Sequence, residues 1–284
     1  MQTQSIQPCA RALRRAAANA ILVIVAMFGR TAAASAQTDF YNTDAGRPIR
    51  TEDAYPVERR AVELQLAPLR LERASGGLYT WALEPEIAVG ALPQTQIEIG
   101  LPLAFADAGV GRTTSTSGAA GLEISALYNL NVETTLPALA IAGDALLPVG
   151  GLAPDHALTS VKGIVTKTFP FARFHVNGAY TFGAEPQLGL PNVLELWRWF
   201  GSLAVDHTLP LRSLLLTAEV VTEQPIQDEE DVRWAVGGGA RWQRSPRWAL
   251  DAGLGRWFTG ADQTWYATFG GAYAFGLPWR GRGR

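Results

Sequence analysis

From Ala61 to Phe275 the chain repeats one pattern: stretches of about ten residues or more alternate in hydrophobicity and are separated by Gly, Pro, Asp and Asn clusters. A period of two sends successive side chains to opposite faces of a strand. The stretch Thr264 to Phe275 shows it plainly. Trp265, Ala267, Phe269, Tyr273 and Phe275 share one face, and Thr264, Tyr266, Thr268, Gly270, Ala272 and Ala274 share the other. A soluble barrel turns polar residues outward, whereas large apolar residues opposed by small or polar ones suit lipid outside and a lumen inside. Such a strand cannot end in hydrocarbon with an unpaired edge, because each unsatisfied backbone group would cost several kcal/mol. The expectation is an all-β fold, a transmembrane antiparallel up-and-down β-barrel of about twelve strands.

The expected strands are 61 to 73, 78 to 90, 94 to 106, 119 to 130, 137 to 147, 158 to 169, 171 to 183, 193 to 207, 212 to 223, 232 to 243, 247 to 258 and 264 to 275. In the third, Ile97, Ile99, Leu101, Leu103 and Phe105 oppose Gln94, Gln96 and Glu98. In the seventh, Phe174, Val176, Tyr180 and Phe182 oppose Arg173, His175, Asn177 and Thr181. The first slips parity at Ala67-Pro68, and since proline cannot donate to a ladder a bulge is expected there. The sixth and eighth are mixed in pattern.

Connection length sets the orientation. Tight links at Ala91-Leu92-Pro93, Pro170, Leu209-Pro210-Leu211 and Ser245-Pro246 alternate with long polar ones at Asp107 to Gly118, Pro148 to Ala157, Ala184 to Asn192 and Gln224 to Asp231. Barrels of the outer-membrane type have short periplasmic turns and longer external loops. On that orientation Tyr79, Trp81, Phe105, Phe182, Trp234, Phe258 and Trp265 fall near external strand ends, and Phe169, Trp242, Trp248, Tyr273 and Phe275 near periplasmic ends. Two aromatic girdles at the interfaces follow.

Ahead of the barrel, Arg11, Arg14 and Arg15, the apolar run Ala20 to Phe28 and Ala34-Ser35-Ala36 read as a signal peptide over 1–36. Residues 37–60 read as a periplasmic leader, 61–275 as the barrel and 276–284 as a C-terminal tail. Cys9, the single cysteine, lies within the signal peptide, so the mature chain is expected to lack disulfide and thiolate chemistry. A formal net charge of -2 offers no field for nucleic acid. Thr268, Gly270, Tyr273 and Phe275 are similar to the terminal signal read by the barrel-insertion machinery, so outer-membrane lipid and that machinery are the expected partners of Thr264 to Phe275.

Inward positions carry most of the charge. Glu63, Glu84, Glu86, Glu98, Glu123 and Asp144 stand on the first five strands, and Lys162, Arg173, His175, Arg198, Arg233 and Arg241 on the next five. The candidate lumen-lining residues are Glu84, Glu86, Glu98, Glu123, Asp144, Arg173, His175, Arg198, Arg233 and Arg241. Two readings stay open: the charges pair across a narrow interior, or they form a polarised constriction that orients a permeant. Gly237-Gly238-Gly239 and Gly270-Gly271 lack the Gly-Lys-Ser/Thr ending and helix start of a phosphate loop. Their expected role is close packing beside a bulky neighbour. His156, His175 and His207 stand near no serine motif, and no His, Cys or carboxylate cluster has metal-ligand spacing, so catalytic residues, metal and cofactors are expected to be none.

The run Gly46-Arg47-Pro48-Ile49-Arg50-Thr51-Glu52-Asp53-Ala54-Tyr55, followed by Val62-Glu63-Leu64-Gln65-Leu66-Ala67-Pro68, resembles the opening of the MetA-pathway of phenol degradation family of outer-membrane proteins. The resemblance implies a barrel in the bacterial outer membrane that passes small compounds, aromatic or hydrophobic ones included, by passive uptake. It assigns no binding residue. A structural or adhesive barrel with a closed, salt-bridged lumen is the first alternative, and a membrane-embedded hydrolase the second. The leader itself is either a tether or a segment folding into the lumen from below.

Overall fold

The computed structural model describes residues 46–73, 77–109, 114–188, 196–227, 231–258 and 264–276. The expected signal peptide, the first part of the leader and the tail beyond Gly276 lie outside the described residues. Fifteen strand segments follow one another: β1 (Ala61–Arg73), β2 (Tyr79–Leu83), β3 (Glu86–Leu92), β4 (Thr95–Gly100), β5 (Leu103–Ala106), β6 (Thr116–Ala119), β7 (Leu122–Asn129), β8 (Ala138–Leu147), β9 (Leu158–Thr168), β10 (Arg173–Phe182), β11 (Trp197–Thr208), β12 (Leu214–Pro225), β13 (Arg233–Ser245), β14 (Trp248–Trp257) and β15 (Trp265–Gly276). They make twelve antiparallel staves, and β15 pairs with β1 to close the ring. Closure removes the edge that hydrocarbon would not tolerate.

Fifteen segments become twelve staves because three neighbouring staves are each broken once. The breaks lie at Glu84-Pro85 between β2 and β3, Leu101-Pro102 between β4 and β5, and Ala120-Gly121 between β6 and β7. They stand side by side, since Leu83 pairs with Leu103 and Leu103 with Ala119 on one side of the seam, and Glu86 with Gly100 and Gly100 with Glu123 on the other. Proline interrupts the ladder by lacking an N–H, yet its carbonyl still accepts. Leu101 N donates to Pro85 O at 3.1 Å and Ala120 N to Pro102 O at 2.8 Å. The sequence pattern had run straight through all three breaks, and β6 occupies part of what read as the loop 107 to 118. Stave one crosses the seam whole. β1 pairs with β3 through Val62 to Gln65 and with β2 through Leu69 to Arg73, with one extra residue on β1 between the two registers. That residue is the bulge expected at Ala67-Pro68.

The two faces sort as the alternation requires. Leu203 is 53% exposed while its neighbours Ser202 and Ala204 are 7% and 2%. Ile97, Ile99, Val176, Trp234, Val236, Leu254 and Phe269 are likewise exposed on the outside. No helix among the described residues is long and apolar enough to cross a membrane, so crossing falls to the strands. Aromatic rings gather near the strand ends, with Trp81 stacked on Phe105 at 5.5 Å on the external side and Trp248 against Tyr273 at 4.8 Å on the periplasmic side. At the external end Leu146, Leu158 and Ile226 are buried against Leu188 and Leu196. Two external loops are joined there, as Gln187 N donates to Asp155 Oδ1 at 2.9 Å and Asp155 N to Gln187 O at 3.3 Å.

The interior is polar. Gln65, Thr166, His175, Asn177, Glu219, Glu223, Arg241 and Asp251 are buried. Buried polar groups need partners, and most of theirs come from the residues that precede β1.

Candidate functional site

Residues 46–58 run inside the barrel as a strap. Its base is set where Arg60 N donates to Gly90 O at 2.8 Å, at the periplasmic end of the first staves. Val57 N then donates to Gln96 Oε1 at 2.6 Å, Asn129 Nδ2 to Ala54 O at 2.7 Å, and Ala54 N to Thr166 Oγ1 at 3.0 Å. Asn177 clasps Glu52 both ways, accepting from its N–H at 2.8 Å and donating to its carbonyl at 2.9 Å. Glu219 holds the next turn, its carboxylate accepting from Arg50 N and Thr51 N at 3.0 Å each and from Thr51 Oγ1 at 2.8 Å. The apex is Arg50, whose guanidinium pairs with Glu223 at 2.7 Å and lies over the Phe200 and Trp257 rings at 5.0 and 5.4 Å. The strap then turns back. Thr268 Oγ1 donates to Pro48 O at 2.9 Å, and Arg47 pairs with Asp251 at 3.0 Å.

The staves are recessed to receive it. A Cβ on Gly253 would lie 2.1 Å from Pro48 O, one on Gly239 would lie 2.7 Å from Pro48 Cβ, and one on Gly90 would lie 2.0 Å from Glu58 O. The glycine run at 237–239 therefore does pack closely beside bulk, with Pro48 at one end and the Tyr266 hydroxyl at the other. For the described part of the leader, a position in the periplasm gives way to one in the lumen, the second of its two open readings. The physical reason is that the inward side chains of Glu219, Asn177 and Asp251 find their partners on the strap.

Outside the membrane-spanning segments the strap is tied to a periplasmic turn. Tyr55 Oη donates to Glu133 Oε2 at 3.0 Å. Burial and that bond push the Tyr55 phenol above its ordinary range. For Glu133, partial desolvation alone would raise the carboxyl. Hydrogen bonds from Thr168 N–H, Lys167, the Thr168 hydroxyl and Tyr55 outweigh it and bring the pKa down to about 2. In the external loop, the Gln187 N–H and His156 together hold Asp155 below the usual carboxylate range.

Beside the strap is a cavity of about 280 Å³. Five of the ten candidate residues line it: Glu84, Glu86, Glu98, Glu123 and Asp144. The other five also face inward, but each is engaged away from that space. Arg173 and His175 bind Asp206 at 2.8 and 2.9 Å, Arg233 pairs with Glu223, Arg241 approaches Glu63 at 3.8 Å, and Arg198 donates to the carbonyls of Thr181 and Gly183 at 3.1 and 2.8 Å. The acidic and basic walls thus do not face each other across an open constriction, because the basic wall is consumed by its own carboxylates and by the strap. The alternation reading missed Arg47, Arg50, Thr51, Glu219 and Asp251. Inward parity marked Glu219 and Asp251, and the polar, aperiodic run before β1 was the available sign of the strap.

The family described as "Putative MetA-pathway of phenol degradation" matches residues 74–275. This chain belongs to that family. The match spans β2 through nearly all of β15, so membership rests on the barrel itself. Among solved structures, the COG4313 outer membrane channel from Pseudomonas putida F1 superposes with a TM-score of 0.59 at 11% identity, covering 78% of this chain and 98% of that one. The KdgM porin gives 0.48 at 12% identity, covering 76% and 99%. The fold is that of outer-membrane barrels, and with its apolar exterior this family member lies in the bacterial outer membrane. A comparison with curated proteins finds no match.

One arrangement in this family member has the outline of a hydrolytic relay. Thr166 Oγ1 lies 3.0 Å from His175 Nδ1, and His175 Nε2 lies 2.9 Å from Asp206 Oδ2. A nucleophile must reach a substrate atom. The hydroxyl here is fully buried and already accepts the Ala54 N–H, so the strap covers the side from which a substrate would come.

Proposed function

We propose that this barrel is a passive outer-membrane channel for small molecules, closed at rest by the strap 46–58 and opened when the strap leaves its recess. The observation that carries this reading is how the strap is held. Its contacts with the middle of the wall are side-chain hydrogen bonds and ion pairs, which water can replace one at a time, and they stand beside a cavity. At about 280 Å³ that cavity falls just short of the usual range of drug-sized sites. A single-ring compound fits its scale, and the phenol-degradation description of the family supports an aromatic permeant. The terminal stave, with Tyr273 and Phe275 on its lipid face, is the segment offered to the insertion machinery.

Liposome swelling with graded solutes tests the channel. Slow uptake of small solutes is expected, and it should rise severalfold when Gly253→Val fills the Pro48 recess. If bilayers containing either form stay silent and liposomes stay unswollen, the lumen is closed for good. The barrel is then a structural or adhesive one that works through its external loops.

A further inference from the structure

We infer that the cavity beside the strap is a binding site for a small organic cation, an ammonium carried on an apolar or aromatic body. The inference deepens the channel reading and rests on it only for transport, since the site exists whether or not solute passes. Three observations meet here. Seven carboxylates line the cavity against three basic groups. Glu52 is matched by Lys162 and Asp53 by Arg173, Arg50 is matched by Glu223, and Arg70 lies over the Tyr266 ring at 3.8 Å, which leaves Glu84, Glu86, Glu98, Glu123 and Asp144 as an acidic excess.

On the seam side, three glutamates converge on one spot. The Cβ position of Gly100 is 3.1 Å from Glu86 Cγ, 3.3 Å from Glu84 Oε1 and 3.6 Å from Glu123 Cβ. Among the described residues no ion pair joins a basic side chain to these three; the Glu84 and Glu123 carboxyls hydrogen-bond to each other, and Glu84 Oε1 is buried with no partner of its own. Two carboxyls in such contact, with a third beside them, share a proton or hold a cation between them.

The third observation sets the kind of cation. No group of three or more His, Cys, Asp or Glu among the described residues is arranged to hold a metal ion. The remaining wall is instead apolar, with Leu146, Leu158, Leu196, Trp197 and Phe200 lining the same space. An acidic patch meeting an aromatic and aliphatic wall accommodates an ammonium at one end and a ring at the other, and an aromatic face adds attraction for the cation.

Isothermal titration of the full-length protein in detergent micelles tests the site with three probes of one shape: benzylammonium, benzyl alcohol and benzoate. The expected result is benzylammonium binding at least tenfold tighter than benzyl alcohol, with no detectable benzoate binding. The triple variant E84Q/E86Q/E123Q should erase the preference, its folding checked by the heat-dependent gel shift of an intact barrel. Should the triple variant fail to fold, E84Q alone should still narrow the preference. Equal binding of the alcohol and the ammonium would mean that protons compensate the glutamates, and the inference falls. A parallel bilayer measurement under a KCl gradient separates this failure from that of the channel. Current favouring potassium, lost in the variant, supports both. Ammonium binding without current sinks the channel and keeps the site, whereas current without ammonium preference sinks the site and keeps the channel.

Discussion

On the side of the lumen formed by β9 to β15, Thr166, Asn177, Glu219 and Asp251 each meet a group of the strap, and the interior is filled. On the side formed by β2 to β8, Gln96 and Asn129 also hold the strap, but the seam glutamates Glu84, Glu86 and Glu123 meet no group of it and face a cavity. Both sides are built from staves with the same inward polar alternation. The difference lies in whether a segment from outside the repeat supplies partners. Buried charge must be matched, and this barrel matches it with the strap on one side and leaves three glutamates to one another or to a permeant on the other. It follows that isosteric loss of charge should cost stability on the filled side and little on the open one.

The largest effect should come from Arg47→Ala. It leaves Asp251, whose side chain is wholly buried, beside a missing partner at 3.0 Å, and breaking such a pair costs about 3 to 5 kcal/mol. The strap should become sensitive to protease in intact liposomes, and conductance should rise. If the strap stays protected, the filled side is not held by its charges. Glu219→Gln comes next, because an amide cannot accept all the donors from Arg50 and Thr51. Hydrogen bonds to a charged group are worth about 1.5 to 3 kcal/mol each, so roughly tenfold or more in the closed-to-open ratio is expected in single-channel records. Tyr55→Phe removes one bond to Glu133, and a shift of about 1 kcal/mol should appear in the urea midpoint. Glu86→Gln on the open side should move that midpoint by no more than about 0.5 kcal/mol, or raise it by relieving repulsion. A loss as large as that of Glu219→Gln would erase the contrast between the two sides.

The tie at Glu133 also gives a direction with pH. Its carboxyl is lowered from 4.5 to about 2 in the folded protein. A depressed pKa contributes stability that is complete above the unfolded value and is lost as pH falls through the folded one. The periplasmic end of the strap should therefore hold at pH above about 4.5 and loosen as pH falls toward about 2, and Glu133→Gln should flatten that dependence. Conductance recorded across that range reads the outcome.

Much of the barrel was legible in the order of residues. The faces of β4, β10, β13 and β15, the number of staves and the bulge on β1 followed from alternation and proline, because the direction a side chain takes is a property of one strand and its nearest neighbours. The breaks at Glu84-Pro85, Leu101-Pro102 and Ala120-Gly121 were not legible, since alternation resumes on the same parity after each of the two prolines and only the side-by-side register turns them into a seam. The candidate charges were picked by inward parity alone, and parity left their partners out of reach. Arg47 and Asp251 are 204 residues apart, and nothing local relates them.

What the sequence determined by itself was the staves and which way each residue faces, because a two-residue period needs no knowledge of the rest of the chain. Tertiary structure decided which inward charges are matched and where the cavity is left. Those depend on ring closure bringing β14 and β12 around to a strap that belongs to neither, and on glycines at 239 and 253 leaving the space where Pro48 comes to rest.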